Sequence, residues 1–404
     1  MRMYLIALNP TDSVTEGFLP AAHALGLDVT LLTDRAEPHR RAVEAAGRDA
    51  VGDIEILECD VRDHHALITR VATHHRPDAV FTNSDHLQAP AALAAAYFGL
   101  PGKDWRAALR TKDKAETRRH LAAAGLDAVR SVELAAGQDP EGLLDRPVPY
   151  PCVVKPREGV ASEDVVIVAA PDELLARCRE IQARRPGAAL VAEEYLPGEL
   201  HTLETLGDGR RLHVVGGFRT RLSPPPYFVE TRMTYVPRHP DPVTAQVLAQ
   251  LDCLGVGFGA SHTEFVVHDG RARIIEVNYR AVGDQGDLLL RDLLGFPLFE
   301  HVLRTHLGEP LPDHLRLRRD AAARVDYVCA PTAGTLAAAP APADLTADGV
   351  RLAYRPLRAT GTRHPLHHTN RDYVGVLRTT GPDQPSVDRA ADAFLATRRW
   401  EFTP

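Results

Sequence analysis

The stretch RARIIEVNYRAVGD, residues 271–284, is a mostly apolar run with polar side chains at every second position. Side chains of a β-strand alternate between its two faces. The alternation therefore predicts a polar face and an apolar face: Glu276, Asn278 and Arg280 on the first, and Ile275, Val277 and Tyr279 on the second. A carboxylate, an amide and a guanidinium aligned in this way indicate more than core packing.

The preceding stretch HTEFVVHD, residues 262–269, is predicted to pair with this strand through Asp269 and Gly270. A strict two-residue turn pairs residue 268 with 271, which places Glu264 and Glu276 on opposite faces. A connection of odd length, such as a type I turn with Gly270 at a bulge, pairs 264 with 276 instead. Both carboxylates and Asn278 would then form a hard-oxygen site suited to Mg²⁺. An exposed hairpin with an ordinary polar face is the alternative.

Composition excludes several classes of protein. The chain has 404 residues, enough for two to four domains, and is 44% hydrophobic and 25% charged. A formal charge of −7 gives no reason to expect a nucleic-acid partner. The five cysteines form no Cys-x-x-Cys pair, which fits a reducing compartment. The first residues lack the pattern of a signal peptide, and no apolar run is long enough to span a bilayer. We therefore expect a soluble cytoplasmic protein without a membrane partner.

Lysine is used sparingly. Of 47 basic residues only four are lysines, and all lie between residues 103 and 155: Lys103, Lys112, Lys114 and Lys155. A lysine kept in a chain that prefers arginine can serve as a compact point charge on phosphates. Chance in a small sample is the alternative explanation.

Strands and helices alternate over the first hundred residues, from MYLIALN onward, which predicts a parallel sheet covered on both faces. Residues 103–126 predict two short helices, and residues 150–170 predict a strand, a loop and a strand. In the tail, LAAAPAPADLTADG (336–349) predicts a loop, YVGVLRTT a strand, and a closing helix is expected from Ser386.

Other motifs carry little weight. No Walker A sequence is present, and GVGFGA (255–260) follows a helix instead of opening one, unlike a dinucleotide fingerprint. GASHT (259–263) lacks the nucleophile-elbow pattern. The histidine pairs 64–65, 74–75 and 367–368 lack zincin spacing and are expected at the solvated surface.

With these motifs in view, the chain resembles the ATP-grasp superfamily of carboxylate–amine ligases, close to its L-amino-acid-ligase and biotin-carboxylase-like members. HTEF followed by IIEVNYR resembles the metal-binding signature of that family, which implies that Glu264, Glu276 and Asn278 hold Mg²⁺ and that Arg280 serves the reacting centre. Tyr279 stands where the family usually has proline and is expected to face away. The resemblance covers roughly residues 1–310 well and the tail weakly.

The resemblance also implies a nucleotide site. TKDKAETRRHLAAAGL and PCVVKP resemble the two lysine-containing segments of the family. The resemblance implies that Lys114 and Lys155 contact the phosphates and that Lys155 also takes part in catalysis. VAEEYLPGE resembles the adenine hinge. The flap REGVASEDV (157–165) has one glycine where relatives have several, with Ser162 as a helper, and the ribose carboxylate is left open between Glu199, Glu204 and His201. The hinge residues implied to meet or flank the base are Glu193, Glu194, Tyr195 and Leu196.

The implied fold is α/β: a Rossmann-like parallel-sheet domain (1–105), an ATP-grasp domain (106–310) with a mobile lid at about 130–190, and a small C-terminal α+β domain (311–404). The implied reaction uses ATP and one or two Mg²⁺ ions, with Mn²⁺ as a substitute, to convert a carboxylate into an acyl phosphate that an amine attacks.

Both substrates are expected to be small molecules, and a homodimer is compatible with the resemblance. RTRLSPPPYFVETR and AVGDQGD are the specificity segments, with Arg219, Arg221 or Arg232 as candidates for a substrate carboxylate and Asp284 for an amino group. Three alternatives stay open: a bicarbonate-phosphorylating carboxylase, a non-catalytic nucleotide-binding regulator, and a siderophore or peptide-antibiotic assembly ligase.

Overall fold

The computed structural model describes residues 1–126, 129–318 and 320–404. Its first unit is a four-stranded sheet in the order β3-β2-β1-β4, with all three strand pairs parallel, as the alternating pattern predicted. Strand β1 carries an unbroken buried run from Met3 to Ile6, typical of a strand covered on both faces. The strands are β1 Arg2–Ile6, β2 Asp28–Thr33, β3 Ile54–Glu58 and β4 Ala79–Phe81. The helices are α1 Leu19–Ala24, α2 Ala36–Ala46, α3 Arg48–Val51, α4 His64–Ala72 and α5 Gln88–Tyr97, with a π-helix at Ser13–Phe18 and a 3₁₀ turn at Asp85–Leu87.

Two short helices follow, as predicted: α6 Trp105–Lys112 and α7 Lys114–Ala123. They are separated at Asp113, whose side chain accepts hydrogen bonds from the backbone N–H groups of Ala115 and Glu116. This N-cap satisfies donors that have no partner within the helix. It fixes Lys114 at the first position of α7.

A small antiparallel sheet occupies the region predicted as the lid. Its strand order is β5-β8-β6-β7, and helix α8 packs on it over a core that includes Cys152, Val154 and Leu174. The strand–loop–strand prediction for residues 150–170 is confirmed by β6 and β7. The elements are β5 Ser131–Leu134, a 3₁₀ turn at Pro140–Leu143, β6 Cys152–Pro156, β7 Val166–Val168, α8 Pro171–Arg184 and β8 Leu190–Glu194.

The largest sheet has nine strands in the order β13-β12-β9-β10-β11-β14-β19-β17-β16. Strands from both sides of residue 311 belong to it, since β11 pairs with β14. Its first part comprises β9 Leu200–Asp208, β10 Leu212–Leu222, β11 Glu230–Val236, α9 Asp241–Leu254, β12 Phe258–His268, β13 Arg271–Asn278, α10 Gly286–Leu294 and α11 Leu298–His306. The tail adds β14 Ala322–Cys329, β15 Gly334–Ala338, β16 Ala343–Ala347, β17 Val350–Pro356, β18 Arg363–His364, a 3₁₀ turn at Asn370–Asp372, β19 Tyr373–Gly381, α12 Gln384–Thr397 and β20 Glu401–Thr403.

The loop predicted for the Ala/Pro-rich stretch 336–349 is wrong. Residues Ala343–Ala347 form strand β16, which pairs with β17 in a hairpin. Asp348 and Gly349 both have positive φ, 51° and 75°, as a type I′ turn requires. The Asp-Gly pair was therefore the signal for a hairpin, although the alanine and proline content of the stretch favoured a loop.

In the part of the chain that the structure describes, no helix is both long and apolar enough to cross a membrane.

Candidate functional site

The hairpin of β12 and β13 brings Glu264 and Glu276 opposite each other, although not by the predicted device. The turn at Asp269 and Gly270 is a strict two-residue turn with positive φ at both positions, and it pairs His268 with Arg271. The register then shifts by one residue between Glu264 and Phe265. The bulge thus lies inside the hairpin, where Ile275 is the extra residue.

This bulge changes the face on which Ile275 lies. The Ile275 side chain was predicted to point away from Glu276, whereas the structure places both side chains along the same cavity.

Tyr279 does face away, as predicted: it is buried, and its hydroxyl accepts hydrogen bonds from the N–H groups of Gly257 and Phe258. Lys103 binds the Tyr279 carbonyl and the Gln88 side chain, and burial together with the charge of Arg280 lowers the Lys103 pKa to about 7.

The polar face of the hairpin is a chain of charged groups. His262 lies between two carboxylates, with its Nδ1 2.7 Å from Glu204 and its Nε2 3.6 Å from Glu264. Burial opposes the charged imidazole, but the two carboxylates outweigh it and raise the His262 pKa to about 10. Burial would raise the pKa of Glu264, yet contact with His262 holds it below its ordinary value. Asn278 Nδ2 is 3.5 Å from the same carboxylate.

Two lysines approach this face from neighbouring elements. Lys114, at the start of α7, lies 3.0 Å from Glu276, and Lys155 on β6 lies 2.7 Å from Glu193 on β8. Glu193 also receives Arg118 Nε at 2.9 Å and Nη2 at 3.2 Å. Although burial opposes ionisation, these two cations hold the Glu193 pKa well below its usual range. Three buried cations share two carboxylates here, so the region can attract an anion.

These groups surround one cavity of about 350 Å³. It also receives Asp85, which pairs with Lys112 and lies 4.0 Å from Arg280 Nε. The sequence-predicted residues that line it are Lys114, Lys155, Ser162, Glu193, Glu194, Tyr195, Leu196, Glu264, Glu276, Asn278, Arg280 and Asp284. The structure therefore gathers most of the predicted site from segments up to about 170 residues apart.

None of the three ribose candidates, Glu199, His201 and Glu204, is among the described residues that line this cavity. Glu204 is buried behind the hairpin and is hydrogen-bonded to Thr202 Oγ1 and His262. Glu199 is exposed and lines an adjoining open groove. His201 lies on β9 and lines a further open groove.

The hinge segment closes one end of the cavity. The Tyr195 N–H donates to the Pro151 carbonyl at 3.0 Å, which fixes the backbone after β8, and Leu196 is buried in a small apolar cluster with Val129 and Leu200. Glu194 is engaged by Arg130 at 2.9 Å and by Arg273 at 3.3 Å. An apolar surface beside ordered backbone groups can accept a flat base.

The flap between β6 and β7 covers the cavity from above. Ala161, Ser162 and Asp164 all have φ between 55° and 60°, the left-handed region that non-glycine residues rarely adopt. The Ala161 carbonyl accepts the N–H of Asn370 at 3.1 Å, and Glu163 pairs with Arg371. Contacts with the C-terminal segment thus hold the flap in this conformation.

The arginines proposed for a substrate carboxylate lie outside the cavity. Arg219 and Arg221 are exposed on β10 and line the open groove, and Arg232 is paired with Asp326 at 2.8 Å. Instead, Glu230 of the same segment reaches the cavity. Burial and the nearby Glu264 raise the Glu230 pKa to about 8.

Sequence reasoning did not name several polar residues that line the cavity, among them Asp85, Arg118, Glu230, His262 and Asn370. The register of β10 and β11 skips Thr231, and this bulge separates the faces of Glu230 and Arg232. His262 could have been found, because it is two residues before Glu264 on the same strand face. No sequence signal links Asn370 to a strand 140 residues earlier.

Comparison with known proteins agrees with this geometry. Residues 19–102 match the family model of the ATP-grasp N-terminal domain, and residues 111–284 match that of the ATP-grasp domain. The chain is 26% identical to the uncharacterized protein y4rH of Sinorhizobium fredii over 430 aligned positions, covering all of this chain and 84% of that protein. It is 28% identical to the ATP-grasp enzyme fsqD of Aspergillus fumigatus over 196 residues, 47% of this chain and 32% of that one.

Among solved structures, the L-amino acid ligase from Bacillus licheniformis superposes with a TM-score of 0.82 at 21% identity, covering all of this chain and 99% of that one. This likeness establishes the ATP-grasp fold. The two family models together span well over half of the sequence, so the chain belongs to the ATP-grasp superfamily of carboxylate–amine ligases and is an ATP-dependent enzyme.

Proposed function

We propose that the protein joins a carboxylate, an amino acid in the first instance, to an amine through an acyl phosphate, with release of ADP and phosphate. The observation that carries the proposal is the convergence of two lysines, two carboxylates with an amide, and Arg280 on one cavity. Phosphoryl transfer needs positioning and charge neutralisation more than a protein nucleophile. This set of groups suits that requirement.

ATP is proposed to lie between the hinge and the hairpin. The backbone of Tyr195 and Leu196 would meet the base, with Glu193 and Glu194 beside it. Because Glu193 is occupied by Arg118 and Lys155, we assign it the positioning of Lys155 in preference to a direct contact with adenine. Lys114, Lys155 and the flap with Ser162 would surround the phosphates.

Glu264, Glu276 and Asn278 fit a magnesium site by the chemistry of their donors. ATP-grasp enzymes in general use ATP with Mg²⁺, and the two carboxylates face each other across the hairpin with the amide beside them. The ion, or Mn²⁺ in its place, would neutralise phosphate charge. Lys114 and His262 hold the two carboxylates in position.

Arg280 is proposed to bind the reacting carboxylate and to stabilise charge on it during phosphoryl transfer. Its Nη1 donates to the Ala281 carbonyl at 2.9 Å, and Asp85 lies near its Nε. These contacts orient a guanidinium that still has N–H groups facing the cavity, since guanidinium carries five donors. The attacking amine would approach from the side of Glu230, where a carboxylate can hold an ammonium before it loses its proton.

The test is carboxylate-dependent trapping of the acyl phosphate. Purified protein with ATP, Mg²⁺ and a panel of amino acids is treated with hydroxylamine, which converts an acyl phosphate to a hydroxamate. We expect hydroxamate and matching ADP with at least one amino acid, and an amide product by mass spectrometry when an amine replaces hydroxylamine. ADP release that requires bicarbonate alone, without hydroxamate, would indicate a carboxylase, and no ADP with any carboxylate would contradict the proposal.

A further inference from the structure

Strand β13 is the outermost strand of the nine-stranded sheet. Carbonyl groups on a sheet edge have no partner in the ladder and need another donor when they are buried. Side chains from outside the sheet supply a donor at three positions on or just after β13: Gln250 at Ala272, Arg118 at Ile274 and Lys103 at Tyr279. The third of these contacts lies next to Arg280, the residue proposed to bind the reacting carboxylate.

Lys103 lies in the connection between α5 and α6 and is buried, with 8% of its surface exposed. Its Nζ donates to the Tyr279 carbonyl and, at 2.6 Å, to Gln88 Oε1, and it lies 4.5 Å from the centre of the Tyr279 ring. Lysine is rarely buried, and here both hydrogen bonds go to uncharged oxygens. Lys103 is not among the described residues that line the cavity, so any influence on a substrate there must pass through a neighbour.

The Gln88 side chain ties Lys103 to the first unit of the fold. Gln88 Nε2 donates to the Thr82 carbonyl at 3.3 Å and to the Ser84 carbonyl at 2.9 Å. Both carbonyls belong to the segment that follows β4. The Lys103 contact therefore joins the carboxyl end of the parallel sheet to the end of β13.

The main chain on both sides of Arg280 is anchored to this segment. On one side Lys103 holds the Tyr279 carbonyl, and on the other the Ala281 N–H donates to Asn83 Oδ1 at 3.0 Å. The Arg280 Nη1 itself donates to the Ala281 carbonyl at 2.9 Å. The direction in which the guanidinium enters the cavity thus depends on where these neighbouring peptide groups are held.

We propose that Lys103 is a positioning residue for Arg280: it holds the carbonyl of the preceding residue and so sets the place of the guanidinium in the cavity. The inference rests on the role proposed above for Arg280 in binding the reacting carboxylate. Without the Lys103 contact the peptide group between Tyr279 and Arg280 is free to rotate, and a misplacement of about 1 Å can cost about 100-fold in rate. The hinge and the two lysines proposed to hold ATP lie on other elements, β8, β6 and α7, so nucleotide affinity should not change.

The experiment uses Lys103→Met, which keeps an unbranched side chain but removes the donor. Activity is measured as ADP release with ATP, Mg²⁺ and the amino acid of the panel that gives most hydroxamate, and affinity for ADP with Mg²⁺ is measured by calorimetry. We expect kcat/KM for the amino acid to fall by about tenfold or more, with Kd for ADP within about twofold of the wild-type value. An unchanged kcat/KM, or an equal loss of ADP affinity, would overturn the inference. So would an effect confined to activation by Mg²⁺, which would place the influence of Lys103 at Asn278 instead of Arg280.

The matched control is Gln250→Met. Gln250 is also buried, and its Nε2 donates to the Ala272 carbonyl of the same strand at 2.8 Å. This variant removes the same kind of hydrogen bond at the other end of β13, so both variants should lose stability, but it should leave kcat/KM for the amino acid unchanged. A loss of activity equal to that of Lys103→Met would indicate a general effect of the strand edge and would overturn the inference.

Hydrogen exchange without substrates separates this inference from the proposed ligation. Lys103→Met should accelerate exchange at residues 279–283 by about threefold or more, and Gln250→Met should do so only at residues 270–274, because each removes one contact that holds its part of the chain. Unchanged exchange at 279–283 in folded Lys103→Met would overturn the positioning role, whatever the activity. Accelerated exchange there, with no hydroxamate from any acid in the wild-type protein, would refute the ligation and leave the Lys103 contact standing. If Lys103→Met does not fold, Lys103→Gln, whose N–H donor is one atom nearer the main chain, replaces it in each comparison.

Discussion

The Lys155 ammonium lies 2.7 Å from Glu193, and that carboxylate also binds Arg118 on its other side. Lys155 and Glu193 are 4% and 3% exposed, so an arginine at 155 would have to fit beside a second guanidinium in a buried space. Burial and the nearby Arg118 lower the pKa of Lys155, with Glu193 opposing them. A phosphate would relieve this crowding of cations.

Lys155→Arg should therefore be poorly tolerated in a chain that otherwise prefers arginine. A planar guanidinium cannot replace a compact ammonium in a tight phosphate site. We expect kcat/KM for ATP to fall by about tenfold or more, ~1.4 kcal/mol in transition-state stabilisation. Steady-state ADP release measures this, with the thermal midpoint as a check of folding. Wild-type affinity and rate would make Lys155 a structural residue.

Glu276→Gln should abolish turnover and leave the fold intact. The variant keeps the volume of the side chain opposite Glu264 but removes the charge that Mg²⁺ and Lys114 need. We expect a loss of about 100-fold or more at saturating Mg²⁺, measured as ADP release across a Mg²⁺ titration. Near-normal rates at limiting Mg²⁺ would show that the metal assignment is wrong.

The flap is expected to become more ordered when nucleotide binds. Hydrogen exchange with Mg²⁺ and a non-hydrolysable ATP analogue should show strong added protection at residues 156–166 that is absent without Mg²⁺, since a closed lid excludes water from an acyl phosphate. Identical exchange in both states, under conditions where binding is confirmed, would mean that this region is a rigid subdomain.

Arg371→Ala should loosen the same flap without nucleotide. It removes the ion pair with Glu163 but leaves the Ala161–Asn370 backbone hydrogen bond. Exchange at residues 160–165 should accelerate by a few fold, because a partly exposed pair contributes about 0.2–1 kcal/mol. Arg363→Ala, at an exposed arginine nearby, is the control. Equal exchange in the two variants would show that the ion pair does not hold the flap.

Glu230→Gln should change how stability depends on pH. The Glu230 pKa is raised from 4.5 to about 8, chiefly by burial and then by Glu264. The folded protein therefore binds more protons than the unfolded chain between these values, and stability falls as pH rises through this window. The variant removes that loss. Its thermal midpoint should exceed the wild-type value by about 2 °C or more at pH 9 and approach it near pH 5. A constant difference across this range would contradict the assigned pKa.

The strongest local patterns in the sequence predicted many of the residues that line the candidate site. The alternation in residues 271–280 placed Glu276, Asn278 and Arg280 on one face. The rarity of lysine drew attention to four lysines, of which the family resemblance selected Lys114 and Lys155. Alternating strands and helices predicted the parallel sheet. The polar face and the sheet follow from the side-chain period of single strands and helices, and the lysines from the use of lysine where the chain otherwise uses arginine. Both signals lie within short segments of sequence.

Only the tertiary structure decided which faces meet. The bulges at Ile275 and Thr231 reverse the faces of Ile275 and Glu230, because one extra residue shifts every later side chain of a strand. Glu204 was a reasonable ribose candidate, but the register of β9 places it opposite His262, which binds it. Asn370 reaches Glu230 and the flap across 140 and more than 200 residues. The sequence by itself determined the polar face of β13 and the strand and helix that carry Lys155 and Lys114. Bulges and long-range pairing, which depend on the packing of distant segments, decided what else lines the cavity.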